Sequence, residues 1–211
     1  MSCPIPWEVL EYIELVESGQ YRACKEQIAL VQYVRRVFET EDIFVDTARL
    51  EKYMGLAKYF PFELFPWEKF LFTLWNCTYT TPGRPRWKTV FAMIARGAGK
   101  DGYIAFDSFA SVSPYNPVKD YDVDICANNE EQAMRPVLDV ISVLETPKHE
   151  SKLKKFFYHT KELVRGFLNH GIIKGRTNNP KGRDGMRSGK IIFNEVHAYL
   201  NYLNIKVFKT G

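Results

Sequence analysis

The stretch TVFAMIARGAGKDG, residues 89–102, decides the predicted fold. Residues 89–95 form an almost continuous apolar run, which is typical of a strand buried on both faces in a parallel sheet. Residues 96–102 are rich in glycine and predict a tight turn. An apolar periodicity over residues 103–112 then predicts a helix. A strand, a glycine turn and a helix in this order indicate an α/β fold.

The same pattern continues along the chain. Strands are predicted at residues 121–127, 190–193 and 205–208, and a helix at residues 130–144. Because strands and helices alternate, we expect a mostly parallel sheet flanked by helices.

The part of the chain before this region is predicted to be helical. Apolar residues recur at three- and four-residue steps over residues 21–40, and a second helix is expected over residues 46–59. Asp46 or Thr47 is a suitable N-cap for that second helix. A third helix is expected to begin near Pro66, because proline is well tolerated in the first turn of a helix.

Length and composition exclude several classes of protein. The chain has 211 residues, 45% hydrophobic and 26% charged, which is ordinary for a globular protein. No apolar run approaches the roughly 20 residues that a bilayer requires, so we expect no membrane partner. The formal net charge of +4 is too small to indicate nucleic acid by itself. The four widely spaced cysteines form neither a metal-binding nor a disulfide pattern.

The glycine-rich turn has the features of a phosphate-binding loop. Backbone N–H groups at the start of a helix attract anions, glycines allow a close approach, and Lys100 adds a positive charge. The alternative is a turn that uses glycine only for its backbone dihedrals. Two nucleotide motifs fit in part. GxGxxG, with Asp122 further on, would indicate a dinucleotide and an oxidoreductase, whereas GxxxxGK[ST] would have Ile94 and Asp101 at two of its defining positions.

The residues after the strand at 190–193 favour the second motif. Asn194 and Glu195 follow that strand directly. In nucleoside-triphosphate hydrolases a polar residue at this position binds Mg²⁺ or one of the waters around it, and a following glutamate orients the attacking water. A dinucleotide-binding domain does not need this pair. The alternative is that Asn194 and Glu195 are ordinary polar residues of a turn at the end of the strand.

At this point the chain resembles the ATPase part of the large terminase subunits of HK97-like tailed phages. Four elements carry the resemblance: ARGAGKD at 95–101 as a variant Walker A loop, FPWEKF at 65–70 as an adenine motif, EQA at 131–133, and NEVHAY at 194–199 as Walker B. The resemblance implies a P-loop ATPase that uses ATP and Mg²⁺ to package double-stranded viral DNA into a procapsid.

The resemblance also implies partners and a location. The portal protein and the small terminase subunit would be partners, a homo-oligomer on the portal is expected, and the host cytoplasm would be the compartment. Residues 1–60 would form a helical N-terminal segment and residues 61–211 a P-loop ATPase domain. The nuclease domain of such proteins would be missing from a chain cut at this point, so nuclease activity is not expected.

The resemblance assigns roles to individual residues. Lys100 would contact the β- and γ-phosphates, Glu195 would position the water, and Arg96 would sense the γ-phosphate. For Arg96 the alternative is a surface arginine paired with an acid. Nucleotide contacts are expected from Gly97, Ala98, Gly99, Lys100, Asp101, Gly102, Trp67 and Glu68, although Trp67 also suits the core side of a helix.

Three residues depart from the family pattern. Glu68 stands where a glutamine would read adenine, Asp101 where a hydroxyl would bind Mg²⁺, and Asn194 where a carboxylate is usual. We hypothesise that Asp101 and Asn194 are a swapped pair that keeps the charge near the metal constant. The alternative is a degenerate site that binds nucleotide or DNA without hydrolysis.

A basic stretch between residues 174 and 190 is a candidate DNA contact. Its cations could follow a DNA backbone through contacts that do not depend on base sequence, or they could belong to a solvated loop. The cations are Lys174, Arg176, Lys181, Arg183, Arg187 and Lys190.

Overall fold

The computed structural model describes residues 3–177 and 188–199. The chain divides into two compact units. The first contains Met1–Lys58 and Phe62–Ala98, and the second contains Tyr59–Pro61 and Gly99–Gly211. We describe each unit by itself. The division at residue 60 expected from the sequence stays a prediction.

The first unit combines four helices with a small antiparallel sheet. Short β-runs at Ile43 and Thr78 were not predicted from the sequence, since three residues are too few to show an alternating pattern. The sheet order is β1-β2-β3, and both pairings are antiparallel. The elements are α1 (Trp7–Glu17), α2 (Lys25–Thr40), β1 (Ile43–Val45), α3 (Thr47–Met54), α4 (Pro66–Cys77), β2 (Thr78–Thr80) and β3 (Arg84–Pro85).

The predicted helices of this unit are present, although α3 ends at Met54 rather than near residue 59, and two of their start signals are confirmed. The Asp46 carboxylate caps α3 by accepting a hydrogen bond from the backbone N–H of Arg49 at 3.0 Å. Pro66 occupies the first turn of α4. The apolar faces of α1, α2 and α4 meet in a core that contains Val9, Ile13, Val34, Phe38 and Phe70.

The second unit is an α/β layer with a five-stranded sheet. The strand order is β5-β6-β7-β4-β8. The central strand β4 runs parallel to β7 and to β8, whereas β5, β6 and β7 are joined by antiparallel pairings. The elements are α5 (Lys100–Ser111), β4 (Val123–Ala127), α6 (Glu130–Glu145), α7 (Pro147–Leu153), β5 (Phe157–His159), β6 (Leu163–Gly166), β7 (Ile172–Thr177) and β8 (Lys190–Phe193).

The α/β class predicted from the sequence is confirmed, but the sheet is mixed rather than mostly parallel. Helices α5 and α6 and strands β4 and β8 lie where the sequence predicts them. The hairpin β5–β6 was missed because strands of three and four residues give only a weak periodic signal, and the six-residue strand β7 was missed because its polar residues interrupt the apolar pattern. The predicted strand at residues 205–208 lies outside the described residues.

The prediction of a buried strand at residues 89–95 is wrong. This segment has no strand pairing in the structure, and the side chains of Phe91 and Met93 are 81% and 90% exposed. An apolar run indicates a tendency to be buried, but a strand also needs a neighbouring edge to satisfy its backbone N–H and C=O groups. Among the described residues no such edge pairs with this segment.

Strand β8 is held in the second unit by its pairing with β4 and by an ion pair with α5. Strands β4 and β8 are parallel and in register, with Cys126 opposite Phe193, so both end at the same edge of the sheet. A buried ion pair joins α5 to β8, because Lys190 Nζ lies 2.8 Å from both carboxylate oxygens of Asp107. Both side chains are almost fully buried, at 3% and 1% exposure.

Within the described part of the chain no helix is long and apolar enough to span a bilayer. All four cysteines are free thiols.

Candidate nucleotide-binding site

The glycine turn leads directly into α5. Gly97 and Gly99 have left-handed backbones, with φ of 80° and 91°. Gly99 is the N-cap of α5, and no side chain caps the helix start. The first N–H groups of α5 therefore keep their donor capacity for a ligand. A Cβ added at Gly97 would meet no atom within 4 Å, so glycine is required there by its dihedral rather than by crowding.

Lys100 and Glu195 meet at this point. Lys100 is the first residue of α5, and Glu195 follows β8 after a single intervening residue. The Lys100 ammonium forms a short ion pair with Glu195 Oε1, and both side chains are partly exposed, at 28% and 29%. The other carboxylate oxygen of Glu195 lies 3.4 Å from His197 Nδ1. The lysine of the glycine turn and the glutamate that follows β8 are thus in direct contact.

Glu195 also has an unusual backbone. Its φ of 53° is left-handed, which costs free energy in a residue other than glycine. Such conformations concentrate at functional sites, where the surrounding structure holds them. Here the strand β8 before it and the 3-10 turn Val196–Ala198 after it hold Glu195, and its carboxylate reaches Lys100.

Asn194 is buried between β8 and Glu195. Its backbone N–H donates to the carbonyl of Cys126 at 2.8 Å, which continues the contact between β4 and β8 beyond the ladder. Its side chain is buried, and within the described part of the chain the Oδ1 atom has no hydrogen-bond partner. A buried polar atom without a partner is costly, so this oxygen is suited to a ligand or to a hydrated ion.

Asp101 faces the neighbouring helix α6. Its carboxylate lies 3.7 Å from Arg135 Nε. Burial raises the pKa of nearby Asp139, Arg135 opposes this shift, and the charge of Asp101 adds to it. The partner that the structure gives Asp101 is therefore Arg135. The swapped pair of Asp101 and Asn194 stays a prediction.

The donors present fit a magnesium ion that keeps most of its water. Mg²⁺ is usually held by one or two carboxylates together with substrate phosphates, and it accepts only oxygen ligands. The Asp101 carboxylate and the orphaned Asn194 oxygen are ligands of this kind. The described residues contain no cluster of three or more metal-binding side chains, so a dedicated all-protein metal cage is not part of that region.

The predicted adenine residues have structural roles in the first unit. Trp67 packs against the core formed by α1, α2 and α4. The Glu68 carboxylate accepts a hydrogen bond from the backbone N–H of Phe65 at 2.8 Å and so caps α4. Burial raises the pKa of Glu68 to about 7, although the Phe65 N–H opposes this shift. Whether either residue contacts a nucleotide stays a prediction.

Arg96 is exposed, and within residues 3–177 and 188–199 it has no ion-pair partner. The alternative of a surface arginine paired with an acid therefore has no support in the described residues. Its role as a γ-phosphate sensor stays a prediction.

The basic stretch is not a loop in its first part. Residues 172–177 form β7, and Arg176 Nε donates to the buried carboxylate of Asp124 at 2.6 Å. Lys190 is buried against Asp107, which corrects its inclusion among DNA contacts. Lys181, Arg183 and Arg187 lie outside the described residues. Of the stretch, Lys174 keeps a side chain without an ion-pair partner in the described part.

The pair of Asp107 and Lys190 was missed from the sequence. The two residues are 83 positions apart, and neither belongs to a motif. A lysine at the start of an apolar strand and an aspartate inside an apolar helix were the available signals, since charged residues are rarely buried unless they are paired.

Fold and site together define a mixed α/β protein whose candidate site lies at the carboxyl ends of two parallel strands. The fold is similar to that in the crystal structure of the HK97 bacteriophage large terminase, with a TM-score of 0.54. The two chains are 20% identical, and the match covers 69% of this chain and 30% of that one. The likeness to a phage large terminase expected from the motifs is thus confirmed as a likeness of fold.

The chain matches no model of a known protein family and no curated protein.

Proposed function

We propose that this chain is the ATPase motor part of a large terminase that hydrolyses ATP to move double-stranded DNA into a viral procapsid. The observation that carries the proposal is the contact between Lys100 and Glu195 at the carboxyl edge of β4 and β8. A phosphate-binding lysine and a water-positioning glutamate must lie within one nucleotide's reach of each other, as these two residues do.

Different residues of the chain would bind the phosphates, activate the water and stabilise the charge. The free N–H groups at the start of α5 would hold phosphate oxygens, and Lys100 would add a positive charge beside them. Glu195 would orient a water molecule and accept its proton as that water attacks the γ-phosphate. Arg96 would stabilise charge on the same phosphate. For these roles Lys100 must release Glu195 and turn to the nucleotide.

Magnesium would be held by oxygens of Asp101, of Asn194 and of the nucleotide itself. The ion would neutralise charge on the phosphates. Asp101 must leave Arg135 to take part, and their separation of 3.7 Å at a largely exposed surface makes this inexpensive.

The partners follow from the proposal. Double-stranded DNA would be the translocated polymer, the portal protein and the small terminase subunit would bind the motor, and several copies would assemble on the portal. The host cytoplasm is the compartment in which such a motor works.

Phosphate release by the 211-residue chain tests the proposal. We expect release from ATP that requires Mg²⁺ and that falls at least 100-fold in Lys100→Ala and in Glu195→Gln, since each removes a group used in the transition state. Lys25→Ala, an exposed residue of the first unit, serves as the control that retains activity. Phosphate release that survives Lys100→Ala would overturn the proposal.

A second candidate is a degenerate module that binds nucleotide without hydrolysis. It is favoured by Asn194, whose amide offers the metal no negative charge, and by the pairing of Asp101 with Arg135. Metal-independent ATP binding without phosphate release would select this candidate.

An oxidoreductase that uses a dinucleotide has less support. Asp122 lies before the first residue of β4, and its carboxylate accepts a hydrogen bond from the backbone N–H of Ile172 at 2.9 Å. The ribose contact in such proteins needs an acid at the other end of the strand.

A further inference from the structure

The hairpin of β5 and β6 has one face in the core and one face in solvent. On the core face, Phe157 stacks on Phe109 of α5 with 4.7 Å between ring centroids, and Val164 is buried. On the opposite face, Tyr158 lies directly across from Arg165, and both are exposed. Strand alternation therefore displays a ring and a guanidinium side by side.

The next strand extends this face. Lys174 of β7 pairs in register with Leu163, and Ile172 pairs with Arg165. Residues directly opposite in a sheet point to the same side, so Lys174 lies on the same face as Arg165. The two cations are diagonal neighbours, about 7–8 Å apart at the backbone. Lys161, in the turn between β5 and β6, is exposed beside them.

Positive charge is concentrated around this hairpin. Residues 148–165 contain six Lys and Arg against two Glu, a net of +4, which equals the formal net charge of the whole chain. Lys154 and Lys155 are exposed immediately before β5. The acids nearby are Glu150 and Glu162, Glu145, which lies 4.0 Å from His159, and the buried Asp124, which stands opposite Lys174 in the sheet and is paired with Arg176.

The cations of this face are not used inside the protein. Within the described part of the chain, Lys154, Lys155, Lys161, Arg165 and Lys174 form no ion pair. Arg176, by contrast, is held by the buried carboxylate of Asp124. Cations that have no counter-charge and are spread over a strand surface attract a polyanion whose charges repeat at regular intervals.

We propose that the solvent face of the β5–β6 hairpin, with the exposed Lys161 and Arg165 and the partly exposed Lys174 of the neighbouring β7, binds the phosphate backbone of double-stranded DNA. We call these three residues and Tyr158 the outer basic face. The choice of DNA as the occupant rests on the proposed function. The outer basic face does not include Lys100 or Glu195, so DNA contact and nucleotide contact would be made by different side chains.

Fluorescence anisotropy of a labelled 30-base-pair duplex, without nucleotide, tests the proposal in Lys161→Gln/Arg165→Gln. Each lost phosphate contact lowers the slope of log affinity against log salt by about 0.9. We expect the slope to fall by about 2 and the affinity ratio of wild type to variant to shrink about tenfold between 50 and 200 mM salt. Lys25→Gln/Lys52→Gln, two exposed cations of the first unit, is the charge-matched control.

An unchanged salt slope in Lys161→Gln/Arg165→Gln would overturn the proposal, and so would an equal loss in the control, which would indicate an effect of net charge alone. Preference for a single strand over the duplex would also overturn it. Phosphate release measured on the same variant separates the two proposals. If Lys161→Gln/Arg165→Gln hydrolyses ATP and binds DNA like the wild type, only the proposed DNA contact of the outer basic face is refuted. If the wild type binds DNA through this face but does not hydrolyse ATP, only the proposed ATPase function is refuted.

Discussion

The ion pair between Lys100 and Glu195 predicts that the glutamate competes with nucleotide for the lysine. In the structure the Lys100 ammonium is satisfied by Glu195 Oε1, and a phosphate must take its place. We therefore expect Glu195→Gln to bind ATP·Mg²⁺ more tightly while it hydrolyses ATP more slowly.

The size of the gain follows from the geometry of the pair. A hydrogen bond between charged groups contributes about 1.5–3 kcal/mol, and both side chains are more than a quarter exposed, which weakens the interaction. Removing the pair in Glu195→Gln should then make the binding of ATP·Mg²⁺ more favourable by about 1–2 kcal/mol, which corresponds to a dissociation constant about five- to thirtyfold lower. Loss of the water-positioning carboxylate should reduce hydrolysis about 10²–10⁴-fold.

Calorimetric titration with a non-hydrolysable ATP analogue and Mg²⁺ measures the gain directly. Glu17→Gln is the matched control, because Glu17 is paired with Arg35 at 2.7 Å and is similarly exposed in the first unit. Removing a negative charge near phosphates would help binding by itself, so the comparison is repeated in a Lys100→Gln background. A gain of equal size in that background, or weaker binding by Glu195→Gln, would refute the competition.

Three further predictions concern stability and metal binding. Burial raises the pKa of Glu68 to about 7 from an unfolded value near 4.5. The contribution of Glu68 to the free energy of unfolding is therefore present below pH 4.5 and is lost as the pH rises through 7. Glu68→Gln keeps an oxygen for the Phe65 N–H but does not titrate. The free energy of unfolding of this variant minus that of wild type, measured in urea, should therefore be up to about 3 kcal/mol larger at pH 8.5 than at pH 5, and an equal difference at both pH values would contradict this. Asp107→Asn should cost about 3–5 kcal/mol because it leaves Lys190 buried without a counter-charge, and Asp107→Leu/Lys190→Met should recover most of that loss in thermal unfolding. Asp101→Ser should abolish ATP hydrolysis and Asp101→Ser/Asn194→Asp should restore it in a phosphate-release assay; a double variant that stays inactive would reject the swapped pair.

The sequence predicted the parts of the fold whose signals are long and local. Helices α2, α4, α5 and α6 carry ten or more periodic residues, and their positions are confirmed within a few residues. Strand β8 is short, but it stands between a basic stretch and a polar pair, and its bounds are confirmed.

The sequence failed where structure depends on partners far along the chain. Residues 89–95 have the composition of a central strand, yet pairing, and not composition, makes a strand. The hairpin of β5 and β6 is defined by its contact with β7 and α5, which no local pattern reveals. Lys100 and Glu195 could be predicted as site residues because the glycine turn and the polar pair after β8 are local signals, whereas the buried pair of Asp107 and Lys190 has no such signal.

If Lys100 and Glu195 form a metal-dependent ATP site, a calorimetric titration of the 211-residue chain will show it. ATP is titrated with Mg²⁺, ATP with EDTA, and NAD⁺ with Mg²⁺, each against wild type and Lys100→Ala. We predict binding of ATP·Mg²⁺ that weakens at least tenfold with EDTA and at least tenfold in Lys100→Ala, with no binding of NAD⁺. ATP binding that is indifferent to both EDTA and Lys100→Ala, or a preference for NAD⁺, would contradict the account.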